Sequence, residues 1–201
     1  MTKHQQLMVV KECGWMIQYI DNPDRDMQLE AVKTSGCAIK YINNPDKEIQ
    51  TTAVKQDWRA IQYINNPDKN IQLIAVKQDG YALKHISDPD SEVQMEAIKT
   101  SWWAIEMING PNKEIQLAAV KQIGYAIQYI NNPSKEVQLV AVRNTYNAIK
   151  YINYPNREIQ IEAIKCSKFN DDIIEYCKQF KEYEEYSGWV DSVIKVKEVL
   201  G

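Results

Sequence analysis

The chain holds seven prolines, at positions 23, 45, 67, 89, 111, 133 and 155, and each is 22 residues from the next. A strict short period marks a protein built by stacking one supersecondary unit, because a unit of that size cannot bury its own apolar face. Other residue types keep the same register. Five positions after each proline stands glutamine (Gln28, Gln50, Gln72, Gln94, Gln116, Gln138, Gln160), and eight after it alanine, from Ala31 to Ala163. Ten after it comes a cation, from Lys33 through Arg143 to Lys165. Isoleucine precedes each proline by three, from Ile20 to Ile152. Gln6, Val10 and Lys11 carry the register back past Pro23, so residues 1–22 form a further unit without its proline.

One period reads as two short helices. In residues 45–66, Asn44 is expected to be the N-cap, with Pro45 at the first helical position, where a missing N–H costs nothing. Asp46 and Glu48 then complement the positive end of the helix. The first helix should run to Lys55 or Gln56, and glycine at 36, 80 and 124 supplies a helix-ending conformation. A second, shorter helix over 60–64 leads into the Asn65-Asn66 turn before Pro67. The fold class is all-α: an α-solenoid of about eight such repeats over 1–165, with units near 1–22, 23–44, 45–66, 67–88, 89–110, 111–132, 133–154 and from 155 onward. A C-terminal helical cap is expected over 166–201, with a helix near 170–186, a break at Ser187-Gly188 and a second helix over 189–200.

A helical turn of about 100° per residue puts Ile49, Ala53 and Val54 on one face and places Gln50 inside it. A polar residue there must find partners. The recurring glutamines are therefore expected to form a buried ladder bonded to the turn backbones, with a polar binding groove as the alternative. The recurring cations lie on the opposite side together with an acidic slot seven residues earlier, as in Glu48 and Lys55. That stripe reads as a solvated face of ion pairs, with a phosphate-binding track as the alternative.

Recognition is expected at positions that vary between repeats. One such set is Trp15, Cys37, Arg59, Tyr81, Trp103, Tyr125 and Asn147, pointing away from the core. Tyr81, Trp103 and Tyr125 would form an aromatic spine beside Lys84, which makes Arg59, Tyr81, Lys84, Trp103 and Tyr125 the candidate partner-binding residues. The alternative is that these rings pack between neighbouring second helices. A second set, Gly14, Gly36, Trp58, Gly80, Trp102, Gly124 and Tyr146, trades small for large from Gly36 onward. It implies a 44-residue superperiod in which a ring fills the gap beside a glycine.

The net charge of −3 argues against general nucleic-acid affinity. No run of 18 apolar residues exists, so no membrane span is expected. Residues 1–4 open directly into a repeat, from which no signal peptide is expected. Cys13, Cys37, Cys166 and Cys177 lack a CxxC pairing and read as free thiols in a reducing cytoplasm. Only two histidines occur, and His85 fills a tyrosine slot. No Gly-rich phosphate loop, zinc spacing or Ser/His/Asp constellation appears. The expectation is a chain that is not an enzyme and holds no cofactor or metal.

The segment Ala75-Val76-Lys77-Gln78-Asp79-Gly80-Tyr81-Ala82-Leu83-Lys84-His85 resembles the signature of a helical-repeat family known only as a domain of unknown function, and recurs in weaker form at 119–129. The resemblance extends over residues 5–165, although the tight Asn-Asn-Pro turn replaces a longer charged connector. Asn-Pro-Asp-Lys-Glu-Ile-Gln followed by Ala-Val is similar to HEAT repeats, and the variant leucine-rich repeat, which alternates α and tighter helices, is a further likeness. These resemblances imply a HEAT-like binding solenoid without catalytic residues. The first, frequent in phages and giant viruses, implies a viral protein in the host cytoplasm that seizes a host defence factor. The leading expectation is a scaffold for a protein partner. The alternatives are a nucleic-acid binder using the Lys ladder or the aromatic face, and a small-molecule or nucleotide-signal binder.

Overall fold

In the computed structural model, which describes residues 1–168 and 170–179, every repeat opens with an α-helix of ten residues, and all but the last follow it with a 3-10 helix of six. The chain divides into two compact units, Met1–Met107 and Ile108–Gly201. The first contains α1 (Lys3–Glu12), η1 (Gly14–Tyr19), α2 (Arg25–Thr34), η2 (Gly36–Tyr41), α3 (Lys47–Gln56), η3 (Trp58–Tyr63), α4 (Lys69–Gln78), η4 (Gly80–His85), α5 (Ser91–Thr100) and η5 (Trp102–Met107). The second contains α6 (Lys113–Gln122), η6 (Gly124–Tyr129), α7 (Lys135–Asn144), η7 (Tyr146–Tyr151), α8 (Arg157–Cys166) and α9 (Asp171–Lys178). The described residues include no strand. The expected pairing of helices is present, with the second member a 3-10 helix that begins at residue 58 rather than 60 in the third repeat.

Each α-helix starts later than its proline suggests. The cap is the residue after proline: Asp24, Asp46, Asp68, Asp90, Asn112, Ser134 and Asn156 all accept the backbone N–H three residues on. Asn44 cannot do this, because its backbone is left-handed (φ 49°) while a cap must be extended, as Asp46 is (φ −67°, ψ 169°). Asparagine tolerates the left-handed region, which is why Asn22, Asn44, Asn66 and Asn132 make the turn; Gly110 and Tyr154 hold the same position with φ 62° and 53°.

The glutamine ladder bonds as expected. In every proline-bearing repeat its Nε2 donates to the carbonyl of that repeat's own proline, at 2.7–2.9 Å. The bond ties the turn to the first helical turn and satisfies a carbonyl that no helix can serve. The ladder is half-buried rather than buried, except for Gln160.

Three residues per turn eclipse positions i and i+3 of a 3-10 helix. In η3, Trp58 and Ile61 therefore share one row, Arg59 and Gln62 the next, and Ala60 and Tyr63 the third. Ile61 and Ala60 are buried, together with Ile64 just beyond the helix and Ile49, Ala53 and Val54 of α3. The same six slots are buried from the second repeat to the seventh and make the core there. Burying each Ile or Val contributes about 1.5–3 kcal/mol.

Glycine has a different task from the one expected. Gly36, Gly80 and Gly124 do not adopt positive φ. A Cβ at Gly36 would lie 2.3 Å from the carbonyl oxygen of Ala53 in the next repeat, and one at Gly80 would lie 2.5 Å from that of Ala97. Glycine lets the next α-helix close on the 3-10 helix. Backbone, not the ring of Trp58, is nearest Gly36, so the expected filling of a glycine gap by a neighbouring ring does not occur there.

The last residue of an α-helix clamps the repeat before it. Gln56 Oε1 accepts from Gly36 N (2.5 Å), and Gln78 Nε2 donates to Val54 O (2.5 Å). Thr100 Oγ1 donates to Val76 O (3.0 Å), and in the second unit Asn144 bridges Gly124 N and Lys121 O. These bonds satisfy carbonyls left bare at helix ends. Ion pairs join the helix starts: Arg25 to Asp46 and Glu48, Lys47 to Asp68, Lys69 to Asp90 and Glu92, and in the second unit Lys113 to Glu136 and Lys135 to Glu158. Glu48 thus pairs with the preceding repeat rather than with Lys55. Starts meet starts and ends meet ends, so successive α-helices within a unit run parallel.

After α8, the start of the helix expected near 170–186 is present as α9, which buries Ile173, Ile174 and Cys177 beside α8, while 180–186 lie outside the described residues. The expected break at Ser187-Gly188 and the helix over 189–200 lie outside the described residues.

Candidate recognition surface

Aromatic residues are segregated by helix type. Helices α1 to α8 carry none, whereas every η helix carries at least one. The η helices also bear Lys40, Arg59, Lys84 and Lys150 against the single acid Glu106. The outward row of each η helix, the second and fifth positions, varies between repeats, as does the first position.

In the first unit, Tyr81 is the hub of a cluster. Its ring lies 6.2 Å from Trp58, edge-on, and 6.1 Å from Trp103 at 45°. Lys84, three residues on and so in the same row, sits 5.3 Å above the Tyr81 ring and donates to its hydroxyl at 3.0 Å. That bond raises the Lys84 pKa. Asp79 fixes the start of η4 by accepting from Tyr81 N at 2.9 Å. The ring of His85 lies 6.5 Å from Trp58, and burial, with Lys84 beside it, lowers the His85 pKa. Trp103 remains 50% exposed at the edge of this stack.

Arg59 belongs to a second cluster. Its Nε donates to Asp57 Oδ1 at 2.9 Å, the oxygen that also accepts from Arg59 N. Cys37 Sγ donates to Asp57 Oδ2 at 3.6 Å. Burial pushes the Asp57 carboxyl up, but the bonds from Arg59 outweigh it and hold the pKa below the ordinary value. Burial and the Asp57 charge push the Cys37 thiol up to about 11, so it is not a ready nucleophile. A cavity of about 400 Å³ opens here, lined by Trp15, Cys37, Asp57, Arg59, Gln62 and Tyr63 among others. Lys40 sits 5.9 Å from the centroid of Tyr63.

Of the five expected residues, Tyr81, Lys84 and Trp103 come together, and Arg59 stands in its own cluster. Tyr125 lies in the second unit, half-buried with its ring 5.8 Å from Tyr151. Sequence reasoning missed Lys40, and it assigned Trp58 and His85 to packing alone. A period of three rather than 3.6 over the six η residues is the signal that pairs Tyr81 with Lys84.

The described residues include no group of three or more His, Cys, Asp or Glu side chains placed to hold a metal ion. They also include no helix long and apolar enough to cross a membrane.

The fold defines an all-α helical-repeat protein whose 22-residue unit pairs one α-helix with one 3-10 helix. A family described as a domain of unknown function (DUF4116) matches it twice, over residues 24–67 and 46–90. Each match spans two repeats, and the second begins one repeat after the first. The matched stretch includes 75–85 but is shorter than the expected span of 5–165. No curated protein matches the chain. No solved structure matches it either.

Proposed function

We propose that the chain is a non-catalytic repeat scaffold that binds a protein partner through the η face of its first unit. The half-exposed Trp103 carries this reading, because it is held against Tyr81 in a cluster whose other members are already ordered. A large ring positioned before binding loses little conformational entropy on contact, and such Trp and Tyr side chains dominate interface energies. Segregation supports the reading further: α-helices build the stack, leaving the outward η row without a core role. The resemblance to a family frequent in viruses adds a source for the partner, a host protein.

The test places a photo-crosslinking amino acid at position 103 and, as control, at the exposed Asn70 of α4. A protein adduct from lysate at 103 and not at 70 is expected, with Trp103→Ala weakening the interaction at least tenfold, about 1.4 kcal/mol. No protein adduct from host lysate, infected or uninfected, refutes the reading.

A further inference from the structure

The parallel α-helices polarise the first unit. Their starts hold Asp24, Asp46, Asp68 and Asp90 with Glu48 and Glu92, met by Arg25, Lys47 and Lys69. Their ends hold Lys33, Lys55, Lys77 and Lys99. Lys33 and Lys99 are paired with Glu30 and Glu96, but the ammonium groups of Lys55 and Lys77 bond to no described residue. Of the acids near these ends, Asp57 is paired with Arg59 through Nε, and Asp79 caps η4 while keeping its charge. Helix-end carbonyls that would repel an anion are taken up by Gln56, Gln78 and Thr100. Arg59 uses only Nε, which leaves Nη1 and Nη2 unbonded on a residue that lines the 400 Å³ cavity with Trp15 and Tyr63.

We propose that this edge binds an acidic, extended segment of the partner protein, with one carboxylate entering the cavity to bond the two Nη groups of Arg59. Lys55, in the repeat of Arg59, and Lys77, in the next repeat, meet further carboxylates of the segment. Packed helices are spaced at about 8–10 Å. A polyproline-type segment rises about 3.1 Å per residue, so an acid at every third residue recurs at about 9 Å and keeps step with the repeats. Nucleic acid carries a charge on every nucleotide, about 3.4 Å apart along each strand of a duplex, which is denser than one cation per repeat. The inference rests on the partner-binding reading and names the chemistry of that partner.

The probe is a fluorescein-labelled dodecapeptide, Glu-Pro-Pro repeated four times, followed by anisotropy with the full chain at 20 and 200 mM salt. Its Gln-Pro-Pro counterpart and a dT12 oligonucleotide are run beside it. The acidic peptide is expected to bind at low salt and weaken at high salt, while the neutral peptide stays free. Lys55→Gln with Lys77→Gln should weaken binding at least tenfold. These side chains make no bonds, so the fold does not depend on them. Arg59→Gln should do the same, and Lys121→Gln in the second unit should change nothing. A flat acidic titration at 20 mM salt, equal binding of the neutral peptide, or tighter dT12 binding lost in the same variants overturns the proposal. An adduct at position 103 together with a flat acidic titration removes the acidic segment alone, whereas absence of any adduct removes the partner reading beneath it.

Discussion

Gly36→Ala tests the packing rule that sets the repeat. The added Cβ would lie 2.3 Å from Ala53 O, 2.8 Å from Gln56 Oε1 and 3.1 Å from Asp57 N. A carbon tolerates a carbonyl oxygen at about 3.3 Å, so α3 must retreat by roughly 1 Å. Retreat also strains the 2.5 Å bond from Gly36 N to Gln56 Oε1. Overpacking of this kind costs about 1–3 kcal/mol, offset by about 0.4–1 kcal/mol because alanine restricts the unfolded chain. The net loss of up to about 2.6 kcal/mol corresponds to a fall in melting temperature of up to roughly 10 °C for a chain of this length. Urea titration followed by circular dichroism measures it. Gly110→Asn is the comparator: nothing lies within 4 Å of that site, φ is +62°, and asparagine holds the equivalent turn in four other repeats. A Gly36→Ala protein as stable as the Gly110→Asn protein would refute close helix approach as the reason for glycine.

Gln72→Leu should cost about 1 kcal/mol, read from the same urea midpoint, because it removes the 2.9 Å bond to Pro67 O and leaves a half-buried carbonyl unpaired. Acid should unfold the first unit before the second. The carboxyls of Asp24, Asp68 and Asp90 are lowered chiefly by their lysine partners, and that of Asp46 by the Ile49 N–H and Arg25. A lowered carboxylate stabilises above its unfolded pKa of about 3.9, and that contribution is lost as pH falls through the folded value. The second unit caps its repeat helices with Asn112, Ser134 and Asn156, which do not titrate there, so hydrogen exchange between pH 4 and 2 should show 1–107 losing protection first. Earlier loss in 108–179 contradicts the assignment. Among the thiols, exposed Cys13 should react first with a disulfide reagent, and Cys177, pushed up to about 12 by burial, should react more slowly than Cys13 or Cys37. Peptide mapping of the labelled sites checks the order.

Periodicity made the repeat, its length and its glutamine bond legible, because a polar residue returning inside an apolar face has few ways to be satisfied. The second helix was harder to read. Six residues such as Trp58–Tyr63 show too little sequence to separate a period of three from 3.6. The error spread to neighbours: taking Pro45 as the first helical residue hid the cap at Asp46, and a cap at Asn44 hid the left-handed turn. Gly36 looked like a helix terminator because local rules assign glycine to conformation, whereas its reason lies 17 residues away at Ala53. A solvated face of ion pairs was legible, but not the individual partners, since that of Glu48 is Arg25 of the preceding repeat. Tyr81, Lys84 and Trp103 were readable as variable outward residues, but the cavity beside Arg59 depends on Trp15 and Cys37 from earlier repeats.

The outward row of each 3-10 helix behaves as an editable label. Its two residues take no part in the glycine contact, the glutamine bond or the helix-end clamp, so rewriting Arg59 and Gln62 leaves those contacts untouched, whereas Tyr81 also packs against Trp58 and Trp103 of the neighbouring repeats. On the proposed partner-binding reading, affinity drifts while the frame stays constant, and two chains that share every proline and glutamine address unrelated targets. A target should be sought by comparing those pairs, not by overall identity.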